Sequence, residues 1–206
     1  MKKYYFLVLI ILISPLSLAQ EVYIGFGPNH TSYNYTNTQG QSNDDIIGEN
    51  GIHFEGGYLK NTSMTNLNMA FALTFDQFDA TGGNEFNSYS WKTNFLGLQG
   101  GVRYGLIEAE RGSHFSLLTN AGITIKKLLD GTQKIDGQTF DLNREPEFNG
   151  LFKGLYFGVE AKYIITNQTA IGLGYTYSLN YGATNLDETL HINSGAVVLK
   201  LFTSFY

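Results

Sequence analysis

Apolar and polar residues alternate along most of the chain, and the alternation recurs in eight segments. In the clearest one, residues 67–75, every odd position is large and apolar, whereas the even positions carry Asn68, Ala70, Ala72 and Thr74. Successive side chains of a strand point to opposite faces, so this pattern predicts a β-strand with one apolar and one polar face. The other segments start near residues 22, 52, 95, 114, 155, 171 and 197. The chain is therefore expected to be all-β.

The composition of the polar faces predicts which side of the strands lies inside. These faces consist mostly of Gly, Ser, Thr, Ala and Asn, whereas a water-exposed surface would carry more Lys and Glu. Small side chains suit the narrow interior of an eight-stranded barrel. Segments of about ten residues also match the length that a tilted strand needs to cross a bilayer. We therefore expect the apolar faces to point outward into lipid, and a soluble barrel with an apolar interior is the alternative.

Short and long connections alternate between the predicted strands. The short ones are residues 61–63, 107–112 and 165–168. The long, polar ones are residues 36–50, 76–88, 129–149 and 182–190. Short periplasmic turns and long outer loops are typical of outer-membrane barrels. The predicted fold is an eight-stranded antiparallel up-and-down transmembrane β-barrel with short periplasmic turns and long outer loops.

The first residues have the pattern of an export signal. Lys2 and Lys3 precede an apolar run at residues 4–13, and small residues follow at Ser17 and Ala19. This pattern predicts a secretory signal peptide at residues 1–19 and a barrel domain at residues 20–206. Removing the signal leaves 11 basic residues against 18 acidic ones, which makes nucleic-acid binding a poor candidate function. The chain has no Cys, which excludes disulfides and thiolate metal ligands.

The eight alternating segments, the opening YIGFG at residues 23–27 and the final LFTSFY at residues 201–206 resemble known outer-membrane barrels. They are similar to the small barrels of the OmpA/OmpX type and to the PorT-like, porin-like proteins of Bacteroidota. The resemblance implies a location in the cell outer membrane, in contact with its lipid and lipopolysaccharide. It also implies that Phe205 and Tyr206 belong to the signal that the barrel-insertion machinery recognises, although Phe is more usual than Tyr at the last position.

Six charged residues are predicted to point into the lumen: Glu55, Arg103, Lys126, Glu160, Lys162 and Lys200. Because burying an isolated charge is very costly, these charges are expected to be paired. One interpretation is a structural plug made of paired charges and water. The other is an ion path, or a gate of exchangeable salt bridges. The plug is favoured, since side chains can fill the interior of eight strands.

No motif predicts catalysis, a cofactor or a metal site. The four His residues have no metal-ligand spacing. His191 and Ser194 vaguely resemble the His-x-Ser neighbourhood of outer-membrane lipid A deacylases, but their spacing would place them on opposite faces of a strand. Glu145 and Glu147 lie in a polar loop that does not define the distance between their carboxyl groups.

The long connections are acidic and are expected to be solvated. Their carboxylates include Asp44, Asp45, Glu49, Asp76, Asp79, Glu85, Asp130, Asp136, Asp141, Asp187 and Glu188. The spacing of these residues matches no known calcium loop. The third long connection, residues 129–149, also carries Ile135, Phe140 and Phe148. These three side chains are expected to pack on the barrel rim or to contact a ligand.

The sequence thus favours a non-enzymatic outer-membrane barrel with a structural or surface-interaction role. A narrow pore for ions or small solutes is the first alternative. A lipid-modifying enzyme and a soluble ligand-binding barrel are others, and the family resemblance adds an accessory part of an envelope secretion machine. Nothing in the sequence predicts the oligomeric state.

Overall fold

The computed structural model describes residues 21–36, 39–42, 46–83, 88–109, 114–135, 137–182 and 189–205. Within these ranges, no helix is long and apolar enough to cross a membrane.

The described strands are, in chain order, β1 (Glu21–Thr36), β2 (Ile47–Gly48), β3 (Asn50–Asn61), β4 (Leu67–Gln77), β5 (Ala80–Gly83), β6 (Ser88–Ile107), β7 (Phe115–Ile135), β8 (Gln138–Asp141), β9 (Leu151–Ile164), β10 (Thr169–Gly182) and β11 (Thr189–Ser204). A 3-10 turn at Leu142–Arg144 and one short helix, α1 (Pro146–Asn149), precede β9.

Eight long strands form a closed ring in the order β1–β3–β4–β6–β7–β9–β10–β11. Strand β11 pairs with β1 from Glu21↔Ser204 to Thr36↔Thr189, which closes the ring, and every pairing is antiparallel. Each long strand thus neighbours the next long strand along the chain. The predicted eight-stranded up-and-down barrel is confirmed. Closure pairs the backbone of the wall all the way round, which a lipid environment requires.

The apolar faces point away from the barrel axis, as predicted. Leu173 on β10 is 57% exposed, whereas Thr74 on β4 is 1% exposed. Phe71 stacks on Tyr58 across the outer surface, with 5.2 Å between ring centroids. Several apolar side chains also lie inside among the polar faces, and Leu118, Tyr156 and Phe202 are examples.

The barrel has two different ends. The connections 62–66 and 165–168 lie at one end, together with the end of β6 and the start of β7, and this end is called here the short-turn end. At the other, long-loop end, the wall continues beyond its predicted limits. Strand β7 runs on to Ile135 and turns back into β8 at Gly137, whose φ of 84° favours glycine.

The predicted loop boundaries at residues 76–88 and 129–149 were therefore wrong. Strand β4 extends to Gln77, and β5 continues the ladder with β6, while β2 pairs with β5. The outward apolar side chains form a belt around the barrel, and these extensions lie beyond that belt. Their outward residues are polar, and their sequence is therefore typical of a loop. Their hydrogen-bonded partners lie on neighbouring strands and are not adjacent in the chain.

The interior holds two apolar layers. At the long-loop end, Phe95 packs edge-on against Phe152 with centroids 5.1 Å apart, and Phe78 lies 5.4 Å from Phe95. We call these three rings the upper aromatic layer. Nearer the short-turn end, Tyr23 and Phe202 lie 5.5 Å apart and form the lower aromatic layer. All five rings are buried.

Candidate functional site

The six charged residues predicted for the lumen all point into the barrel. Five of them are buried, and Lys162 is half-buried. The buried ones lie between the two aromatic layers. Arg103 lies 4.9 Å from the ring centroid of Phe202, and the Nζ atom of Lys126 lies 4.8 Å from that of Phe78. The charges therefore occupy the middle of the lumen, with an aromatic layer on each side.

Ion pairs connect these buried residues from strand to strand. Arg103 Nη2 donates to Glu160 Oε1. Lys200 bridges two carboxylates, because its Nζ atom lies 3.2 Å from Glu160 Oε2 and 2.7 Å from Glu55 Oε1. Burying a charge carries a desolvation cost, and an oppositely charged neighbour offsets part of that cost. An isolated buried charge has no such neighbour.

Two further residues, His53 and Asp76, complete the chain of contacts. His53 Nε2 lies 3.9 Å from Glu55 Oε2, and its Nδ1 lies 2.7 Å from Asp76 Oδ1. The other oxygen of Asp76 accepts hydrogen bonds from Lys126 Nζ at 2.6 Å and from the Thr74 hydroxyl at 3.1 Å. We call the connected set the lumen network: Arg103, Glu160, Lys200, Glu55, His53, Asp76 and Lys126.

The expected exposure of Asp76 and Asp79 to solvent was wrong. Asp76 is 2% exposed, and Asp79 is also buried, accepting hydrogen bonds from the Thr93 backbone N–H and the Gln77 amide. A signal was present for Asp76, since it continues the even-numbered polar face of residues 68–74. The same parity argument places His53 beside Glu55 on the inward face of β3.

Lys162 is not part of the lumen network. Its Nζ atom donates to Glu21 Oε1 at the short-turn end and lies 4.6 Å from the ring centroid of Phe202. With this pair, the ion-paired interior residues other than His53 comprise four basic and four acidic side chains: Arg103, Lys126, Lys162, Lys200, Glu21, Glu55, Asp76 and Glu160. The formal charges of these eight side chains cancel.

Little free space remains within the lumen network. A cavity of about 20 Å³ lies beside Arg103, Glu160 and Lys200. That volume suits about one water molecule. Arg103 Nε and Asn120 Oδ1 are buried beside this cavity without a protein partner, and a water there would satisfy them.

A larger cavity opens at the long-loop end. It has a volume of about 330 Å³ and is lined by Tyr35, Tyr89, Trp91, Gln133, Ile135, Leu142, Glu145, Phe148 and Leu190. We call it the mouth cavity. Of the three apolar residues expected on the third connection, Phe148 is buried against Trp91, with centroids 5.9 Å apart. Ile135 lines the cavity, and Phe140 is exposed.

The sequence profile of the outer membrane protein beta-barrel domain family matches residues 6–198. The chain belongs to this family. It is therefore an integral protein of the outer membrane, which agrees with the closed ring and its outward apolar belt. The profile is that of the general family and does not single out the PorT-like group.

Solved structures of other outer-membrane barrels share the fold. Neisserial surface protein A (NspA) is 12% identical with a TM-score of 0.51, over 89% of this chain and 97% of that one. OprG from Pseudomonas aeruginosa is 10% identical with a TM-score of 0.51, over 91% and 97%. No curated protein sequence matches the chain.

His191 and Ser194, the candidate catalytic pair of this outer-membrane barrel, do not lie close together. Ser194 is buried inside and shares a hydrogen bond of 2.8 Å with Ser178. His191 lies on the opposite face of β11, with its ring 4.8 Å from that of Tyr181. The two side chains are thus separated by the barrel wall, as their three-residue spacing predicts. Among the described residues, no group of three or more His, Asp or Glu side chains could hold a metal ion.

The remaining predicted residues are scattered. Glu145 lines the mouth cavity, and Phe205 is exposed at the short-turn end. Glu49, Asp130 and Asp141 are exposed, as expected of solvated carboxylates. Other predictions lie outside the described residues, namely the signal peptide at residues 1–19, the side chain of Glu147, and Tyr206, Asp44, Asp45, Glu85, Asp136, Asp187 and Glu188.

Proposed function

We propose that this outer-membrane barrel is a non-catalytic, non-conducting protein that acts at the cell surface through its long-loop end. The observation that carries the proposal is the filled lumen. The lumen network spans the interior between two aromatic layers, and the cavity within it holds about one water. A hydrated ion has no room to pass through this arrangement.

Opening a path would require several linked interactions to break together. Lys200 contacts Glu55 and Glu160, and Asp76 contacts Lys126 and His53, so moving either residue disturbs two partners. Removing one partner of a buried ion pair costs about 3–5 kcal/mol. The rings of Phe95 and Phe152 would also have to separate. These linked costs favour the plug over the narrow pore or gate.

The dimensions of the strands support a role at the surface. Strands β6 and β7 have 20 and 21 residues, whereas about 9–11 residues cross a bilayer. The long-loop end of such a barrel faces the cell exterior. The outer parts of these strands therefore project above the membrane, where Phe148, Leu142 and Leu190 give them a packed apolar core. This folded outer part holds the mouth cavity, which is open to the exterior.

Lipid contacts form another part of the proposal. Four exposed lysines, Lys92, Lys127, Lys134 and Lys153, follow the outer wall of β6, β7 and β9 above the apolar belt. Lys127 lies opposite Leu151 and Lys153 opposite Ile125, so these two lysines are diagonal neighbours on paired strands. We propose that they contact the phosphate groups of lipopolysaccharide in the outer leaflet.

The last two residues of the sequence, Phe205 and Tyr206, are both aromatic. Phe205 is exposed beyond β11, at the short-turn end that the barrel-insertion machinery would meet. We propose that Phe205 and Tyr206 act together as part of the insertion signal, because terminal aromatics have that role in the barrels that this chain resembles.

Conductance in a planar lipid bilayer tests the closed lumen. Purified barrel, shown to be folded by heat-modifiable gel migration and shown to insert by flotation with vesicles, is expected to give no channel openings. A general porin added to the same bilayer provides the positive control. Discrete single-channel openings from the folded protein would support the narrow pore and overturn this proposal.

A further inference from the structure

The mouth cavity combines aromatic walls with one carboxylate. Tyr35, Tyr89, Trp91 and Phe148 supply four rings, and Glu145 supplies the negative charge. We infer that this cavity binds a small organic cation carrying a quaternary ammonium group. The inference rests on the proposed surface role, because the ligand would enter from the cell exterior.

The four rings of the mouth cavity come from β1, β6 and α1. Tyr89 and Trp91 lie two residues apart on β6, with ring centroids 5.8 Å apart, and Tyr35 lies near the end of β1. Phe148 comes from α1 and packs edge-on to Trp91. Gly82 lies opposite Tyr89 in the β5–β6 ladder, and a Cβ atom there would overlap the Tyr89 ring. Because Gly82 has no side chain, the Tyr89 ring can occupy this space.

Electrostatics favour a cation in this cavity. Aromatic faces are negative and attract ammonium groups, most strongly when the site is partly desolvated. Glu145 is the N-cap residue of α1, yet its side chain makes no capping hydrogen bond, so its carboxylate is not committed to the helix. The nearby cation Arg144 is exposed and lies 3.7 Å from Asp141. Lys134 is on the opposite face of β7 from Gln133 and Ile135, which line the cavity.

The size and chemistry of the cavity separate the candidate ligands. A volume of about 330 Å³ is at the small end of ligand sites, which suits a trimethylammonium head group with a short tail. Anions would be repelled by Glu145. A neutral sugar would gain stacking on the rings but nothing from the charge. The carboxylate therefore predicts a preference for a cation over a neutral ligand of the same shape.

Trp91 makes the test direct, because it is the only tryptophan in the chain. The full-length barrel in detergent or nanodiscs is titrated with choline and, separately, with 3,3-dimethylbutan-1-ol, its neutral isostere. We expect choline to change the Trp91 fluorescence with saturation, and to bind at least tenfold more tightly than the isostere. Glucose is included as a neutral sugar, and it is expected to bind more weakly than choline.

A matched pair of variants isolates the charge. Glu145→Gln is expected to lower choline affinity about tenfold, to the level of the isostere, while leaving binding of the isostere unchanged. Glu49→Gln removes an exposed carboxylate that does not line the cavity, and it is expected to bind choline as the wild type does. Heat-modifiable migration confirms that both variants are folded.

Several results would overturn the inference. They are the absence of saturable choline binding, equal affinity for choline and the isostere, tighter binding of glucose, or unchanged choline affinity in Glu145→Gln. The bilayer measurement distinguishes this failure from that of the proposed function. A silent barrel without choline binding refutes only the ligand, whereas a conducting barrel that binds choline refutes only the closed lumen.

Discussion

Replacing Asp76 with Asn tests whether the lumen network stabilises the barrel as a set of paired charges. Asp76 contacts Lys126 at 2.6 Å and His53 at 2.7 Å. The amide side chain has nearly the same shape and can still accept the hydrogen bond from Thr74. The substitution therefore removes the charge and changes the packing little.

The expected loss follows from the burial of Lys126, which is 2% exposed. Without Asp76, its ammonium group keeps the contact with the Phe78 ring, a cation–π interaction that is worth only about 1–2 kcal/mol. Removing one partner of a buried ion pair costs about 3–5 kcal/mol. We therefore expect Asp76→Asn to lower the free energy of unfolding by about 3 kcal/mol.

A second substitution provides the control. Combining Asp76→Asn with Lys126→Met removes the unpaired charge and retains an unbranched apolar chain of similar length. Replacing a buried ion pair with apolar groups is often neutral or stabilising, so the double variant should recover most of the loss.

Stability is measured by denaturant unfolding in lipid vesicles, followed by heat-modifiable migration and by the fluorescence of Trp91. A loss below about 1 kcal/mol in Asp76→Asn would contradict the reasoning, as would a double variant that is no more stable than the single one. Either result would mean that the buried charges are compensated by water or by rearrangement rather than by each other.

The apolar belt and the outer lysines lead to two further predictions. Leu173→Arg places a charge in the belt and should lower stability by about 2–4 kcal/mol, whereas Ser32→Arg, on the outer face of β1 above the belt, should cost about 0–1 kcal/mol; equal losses in a vesicle unfolding assay would contradict the predicted belt. Lys127→Gln combined with Lys153→Gln should weaken lipopolysaccharide binding in a vesicle-flotation assay by about 1 kcal/mol per lysine, and added salt should reduce the difference. Lys60→Gln, at the short-turn end, is the control, and an equal effect there would show that the outer lysines have no specific part.

The faces of the strands could be predicted because they depend on local geometry. A strand alternates its side chains whatever its neighbours are, so residues 67–75 already showed which side chains share a face. The direction of the faces also followed from the chain, since a water-exposed surface would carry more Lys and Glu than the polar faces do. His53 and Asp76 could have been assigned to the lumen by the same parity. The apparent loop character of residues 76–88 concealed Asp76, because residues beyond the belt are polar on their outward face.

The partners of each charge depended on the closed barrel. Lys162 contacts Glu21, which is 141 positions away in the sequence, and Lys200 reaches Glu55 only because β11 and β3 flank β1 in the ring. The register between strands sets which inward residues lie at the same depth, and register arises from pairing around the whole ring. The mouth cavity likewise needs β1, β6, β7, α1 and β11 to converge. Periodicity is a property of each strand alone and so was present in the sequence, whereas depth and contact are properties of the assembled wall and were decided by the tertiary structure.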